Sequence, residues 1–138
     1  MIHRDIKPEN FCLGKEQANF DKLYLIDFGL SKIYFQPGVG HIKSVEGKSL
    51  LGDLMYASIS NHEGKELSRR DDLESSIYMV LYLMTGYLPW ASVVFNKSLT
   101  LEEKNYKILA MKEEFVDSNF WDRTNVKIKE DSIFTPNE

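Results

Sequence analysis

The chain has 138 residues, enough for one domain with a core, and its 43% apolar and 28% charged residues are ordinary for a globular protein. A formal net charge of −4 gives no support to nucleic-acid binding through a basic surface. The single cysteine, Cys12, excludes an internal disulfide and argues against a cysteine-based zinc site. His3, His41 and His62 lack ligand spacing, the apolar run Ile77 to Met84 is too short to span a bilayer, and no basic-then-apolar leader opens the chain. An intracellular location, in cytoplasm or nucleus, is the expectation.

The first informative stretch is His3-Arg4-Asp5-Ile6-Lys7-Pro8-Glu9-Asn10. Pro8 fixes its own φ and pushes Lys7 toward extended backbone, so this is a loop displaying a carboxylate, an ammonium and an amide. The grouping suits phosphoryl transfer. Asp5 would orient and deprotonate a hydroxyl, Lys7 would offset charge on a transferring phosphate, and Asn10 would ligate a divalent metal. A polar surface loop is the plain alternative.

Phe11 to Gly14 and Lys22 to Phe28 read as two short strands around a polar turn, a hairpin that returns Asp27 beside the opening loop. Asp5, Asn10 and Asp27 then resemble a magnesium site of hard oxygen ligands. Cys12, between Phe11 and Leu13, reads as a core residue. Residues 31 to 68 carry no long periodic segment and are expected to be functional loops or disordered. Leu73, Ile77, Val80, Leu81 and Met84 then fall at helical spacing, and the helix reads as buried on most sides. Asp71 and Asp72 suit its N-terminal end, and Gly86 and Pro89 its stop. Thr100 to Glu103 fits a capping box opening a second helix to about Met111, with Leu101, Ile108 and Leu109 inward. Beyond Lys112 no period dominates: Val116, Phe120, Trp121, Val126 and Ile128 are scattered, and the end reads as a frayed terminus. Trp90 and Trp121 are candidates for exposed aromatic surface.

His3 to Asn10 resembles the catalytic loop of eukaryotic protein kinases, and Asp27-Phe28-Gly29 resembles their metal-binding element at the usual distance downstream. Tyr56-Ala57-Ser58-Ile59, Ser68 to Ser75 and Leu88-Pro89-Trp90 narrow the resemblance to the casein kinase I family, over roughly residues 2 to 110. The implied fold is the C-terminal lobe of a protein kinase (α+β): mainly α with a small β-hairpin, and the N-lobe expected to be absent. Residues 1–111 would be a partial kinase domain and 112–138 a divergent or poorly ordered tail. The implied function is transfer of the ATP γ-phosphate to serine or threonine hydroxyls of protein substrates, with Asp5 and Lys7 catalytic, Lys7, Asn10 and Asp27 binding ATP, and Asn10 and Asp27 holding Mg2+. Neither nucleic acid nor membrane is an expected partner. Asp72 would accept hydrogen bonds from the backbone at His3 and Arg4. Arg4 would meet a phosphorylated loop or make a structural ion pair.

Departures bear on activity. Asp53 stands where the family usually has threonine; it would pair with Lys7 and repel Asp5. Met55 and Val94 stand where cations that bind acidic substrates are usual, and Ile77 replaces a glycine. Without a Gly-rich loop or strand lysine in the chain, MgATP binding would be weak. The competing readings are an inactive kinase lobe that docks partners, and an unrelated metal-dependent hydrolase using Asp5, Asn10 and Asp27.

Overall fold

The computed structural model describes residues 1–15 and 20–117. β1 (Phe11–Leu13) pairs antiparallel with β2 (Leu23–Leu25), Phe11 opposite Leu25 and Leu13 opposite Leu23. The hairpin therefore forms as the alternation indicated, and Ile26 N–H donates to the Asn10 carbonyl at 2.9 Å, bringing the following Asp27 back beside the opening loop. Cys12 is exposed, not in the core. Among the described residues no second layer covers that side of the two-stranded sheet, so a strand position alone could not bury it.

The long unpatterned stretch is loop, as expected, apart from the two-residue strands β3 (Phe35–Gln36) and β4 (Gly40–His41) and the single turn α1 (Ile59–His62). Side chains substitute for ladders here. The Glu66 carboxylate, almost wholly buried, meets Lys32 at 2.9 Å and Lys48 at 3.5 Å. Asn61 clamps Leu51 from both sides, its carbonyl accepting from Leu51 N–H and its amide donating to Leu51 O.

α2 (Arg69–Thr85) begins where Asp71 accepts from the Ser68 N–H at 2.6 Å, and ends at Gly86, whose φ of 68° only glycine adopts readily. Both boundary signals were legible. The expectation of a helix buried on most sides is not met among the described residues. Tyr78 and Met79 are buried, but Leu73, Ile77, Val80 and Met84, four of the five residues at helical spacing, are exposed. Periodicity groups residues on one face; it does not say what lies against that face.

After α3 (Ala91–Phe95), α4 (Leu101–Asp117) opens on a complete capping box: Thr100 N–H donates to Glu103, and Glu103 N–H to the Thr100 hydroxyl. The helix runs past Met111 to Asp117, with Ile108, Lys112 and Phe115 buried and Leu101 exposed. Those three lie at i, i+4 and i+7, a stripe that a buried lysine disguises in the sequence. The readings at Phe120, Trp121, Val126, Ile128 and the terminus lie outside the described residues.

Trp90 centres the core at 0% exposure. Its indole stands edge-on to Tyr78 (centroids 5.0 Å apart) and Phe115 (5.6 Å), and its N–H donates to the Met55 carbonyl at 2.7 Å. Lys112, also at 0%, threads into the same cluster. Its ammonium donates to Ala57 O (2.5 Å) and Leu54 O (3.2 Å) and to His62 Nε2 (3.0 Å), and lies 4.9 Å from the Tyr78 and Trp90 ring centres.

Trp90→Ala should therefore cost about 3–5 kcal/mol, whereas Leu83→Ala on the exposed side of α2 should stay within about 0.5 kcal/mol. Urea unfolding of both checks this, and similar midpoints would place the core elsewhere. Burial and then the Lys112 charge push His62 from 6.5 down to about 4. The unfolded imidazole takes its proton near pH 6.5 and the folded one only near 4. Stability should accordingly fall as pH drops through that window, by up to about 3 kcal/mol from this residue. His62→Gln should flatten that part of the pH–stability curve; an unchanged slope contradicts it.

Candidate active site

The His3–Asn10 loop is pinned at its start by a bridge between Ile2 and Lys32, with backbone bonds of 2.8 and 2.9 Å. Asp72, in the first turn of α2, then takes both free donors of the loop. Its two oxygens accept from His3 N–H at 2.6 Å and Arg4 N–H at 2.8 Å. This is the role the sequence reading gave Asp72, and its physical basis is that buried amides need acceptors. The bonds also hold Arg4 at a φ of 69°, unusual for a side-chain-bearing residue.

Among the described residues Arg4 makes no ion pair with a carboxylate; its Nε donates to the Leu30 carbonyl at 2.6 Å. His3 is a packing and hydrogen-bonding residue. Asp5 N–H donates to Nδ1, which leaves Nε2 to carry the proton and donate to Ile26 O at 3.0 Å. The ring stands edge-on to Phe28, 5.1 Å between centres.

Asp5 is buried and central. Its Oδ2 meets the Lys7 ammonium at 2.9 Å and the Asn10 amide nitrogen at 3.1 Å. That nitrogen also donates to the Asp5 carbonyl at 2.7 Å. Asp5 Oδ1 is buried without a hydrogen-bond partner among the described residues. Gly52, at a φ of +71°, presses against it: a Cβ there would stand 2.7 Å from Oδ1 and 2.9 Å from Arg4 O. Glycine is required on both counts, and nothing in the sequence marked it from the other glycines of that loop.

Three of the four sequence-chosen residues, Asp5, Lys7 and Asn10, are in direct mutual contact. Asp27 is one residue beyond the Ile26–Asn10 bond, exposed, in left-handed backbone (φ 59°), with Oδ1 accepting from Gly29 N–H at 3.2 Å. The donor set for a cation is thus the Asn10 carbonyl oxygen, since its nitrogen is committed to Asp5, and the Asp27 carboxylate. Among the described residues no group of three or more His, Cys, Asp or Glu side chains could hold a metal. Two hard oxygens fit an ion such as Mg2+, which keeps waters and takes phosphate oxygens as its other ligands.

Asp53 faces the same narrow cleft as Asp5, Tyr56 and Ala57. Lys7 pairs with Asp5, while Asp53 turns Oδ1 to Met55 N–H at 2.7 Å. Its charge still reaches Lys7. The Asp5 hydrogen bond first, and Asp53 and Glu9 at longer range, hold that ammonium above its ordinary 10.5 against partial burial. Met55 is buried in the core, and the half-buried Val94 offers its carbonyl to Lys104 at 2.8 Å. Sequence reasoning missed Ser58, whose hydroxyl donates to the buried Asp71 at 2.8 Å and so ties the loop to α2.

Curated proteins similar to this chain include two casein kinase I homologues. One is a probable casein kinase I homolog of Encephalitozoon cuniculi, 48% identical over 89 residues, 64% of this chain and 27% of that protein. The other, casein kinase I homolog 2 of Schizosaccharomyces pombe, is 46% identical over 92 residues, 65% of this chain and 21% of that protein. The chain is a relative of the casein kinase I family. It spans about a quarter of the length of these relatives. No protein-family model matches it. A kinase relationship accounts for the joint presence of the loop, the Asp27 element and the Asp72 anchor, which an unrelated hydrolase would not need.

Removing the anchor should open the loop. Asp72→Ala leaves two amides without acceptors and should cost about 1–3 kcal/mol. Hydrogen exchange at His3 and Arg4 should accelerate in step, and unchanged protection there would remove Asp72 from this role.

Proposed function

We propose that the chain carries the phosphate-side half of a serine/threonine protein kinase site, in the C-terminal lobe of a kinase fold, and acts on protein hydroxyls with MgATP. The observation that carries the reading is Asp5. It is a buried carboxylate lining the cleft, with one oxygen held by Lys7 and Asn10 and the other, Oδ1, without a hydrogen-bond partner among the described residues. A substrate hydroxyl would supply the missing donor, and Asp5 would orient it and accept its proton. Lys7 lies 2.9 Å from the same carboxylate, close enough to offset charge on the transferring group. Asn10 and Asp27 would hold Mg2+, whose chemistry is to bridge and neutralise phosphate oxygens. The relatives' names support a protein kinase; serine/threonine preference and an intracellular location are part of the proposal. The described residues contain no helix long and apolar enough to cross a membrane.

A second reading, an inactive lobe that binds partners, is favoured by Asp53. A carboxylate beside the cleft strengthens Lys7's hold on its proton but opposes an incoming phosphate.

The test is transfer of labelled phosphate from MgATP to casein. Asp5→Asn should lower the rate by about 100-fold or more, while Leu83→Ala leaves it unchanged. Mn2+ with ATP should broaden the amide signals around Asn10 and Asp27. Broadening without transfer would select the inactive lobe, and neither effect would overturn both readings.

A further inference from the structure

Lys112 has no part in the reading above, yet it is the most enclosed charged group described. Three donors meet three acceptors: the carbonyls of Ala57 and Leu54 and Nε2 of His62. The faces of Tyr78 and Trp90 close the cage. His62 is held in the accepting tautomer from behind, because its Nδ1 donates to Asn105 Oδ1 at 2.6 Å. The acceptors at 54 and 57 belong to one turn. That turn starts at Asp53, whose carbonyl accepts from the N–H groups of Tyr56 and Ala57 and whose side chain caps Met55. Asp53, Tyr56 and Ala57 also line the same cleft as Asp5.

We propose that Lys112 is a positioning residue for the Asp5 cleft: its ammonium ties α4 to the Asp53–Ala57 wall, and gain or loss of its proton reshapes that wall. The stoichiometry supplies the mechanism. An ammonium has three N–H donors for three acceptors; the amine left when the proton departs to solvent has two. One acceptor must then be released, and the longest bond is to Leu54 O, next to Asp53. The π faces lose their cation in the same step. Asp53 supports the protonated form of both Lys7 and Lys112.

The charged and titratable groups around the cage are few. α2 presents Glu74 and Tyr78, joined by a 2.7 Å hydrogen bond; α1 presents His62; the turn presents Asp53. Burial draws Lys112 down from 10.5 to about 7 against the pull of Glu74 and Asp53. His62 protonates only near 4, so the two events are separate.

The inference is independent of catalysis and is tested by NMR of the full chain from pH 5.5 to 9.5. The Lys112 ε-methylene should titrate near neutrality, and the amides of Asp5 and Ala57 should shift with the same midpoint. Lys112→Met should erase that midpoint from both amides. A Lys112 that keeps its proton to pH 9.5 overturns the proposal, as does one that titrates without a matching shift at Asp5 and Ala57. The wild-type titration alone decides if the methionine variant fails to fold.

Discussion

A carboxylate at the head of one helix holds the site together. Asp72 accepts two backbone donors from residues at the start of the chain, and this fixes the direction in which Asp5 leaves the loop. Backbone amides cannot be deleted by mutation, and left unpaired inside a protein they are costly. The loop's shape therefore follows from α2, and α2 from its own capping by Ser68 and Asp71. The neighbouring Asp71 extends the arrangement by receiving Ser58 from the far wall of the cleft. Two adjacent acidic residues thus hold the two sides of the candidate site.

The second constraint is the joint between α4 and the loop after Asp53. Trp90 and Lys112 both terminate on carbonyls of that loop, at Met55, Leu54 and Ala57. A segment with almost no regular structure is thereby as fixed as a strand would be. Its carbonyls are used by side chains from elsewhere in the chain, in place of a ladder. This is how a cleft wall can be irregular and still be precise enough to face Asp5.

Much of this was legible in the sequence. Proline after Lys7 marked the loop, alternation marked the hairpin, and caps and glycine marked both long helices. The chemistry-bearing residues of the loop, Asp5, Lys7 and Asn10, stand together as their spacing suggested. What failed had a common cause. Cys12, Leu101 and the Leu73–Met84 stripe are apolar at positions where a partner surface was assumed, and local pattern cannot supply the partner. Lys112 carried no signal for a related reason: only the convergence of two carbonyls, an imidazole and two rings makes this charged residue core. Gly52 was invisible because its reason is a contact with Asp5 across the fold.

The anchor by Asp72 also orders events in time. His3 and Asp72 are 69 residues apart in the chain. During synthesis the loop emerges first, and its fixing carboxylate only after two hairpins and a long irregular segment have followed. Closing so large a loop precedes any reward from the contact, which makes this a high-contact-order feature. Nascent chains that already display the loop's sequence cannot yet hold its geometry; it becomes competent only when the first turn of α2 has formed.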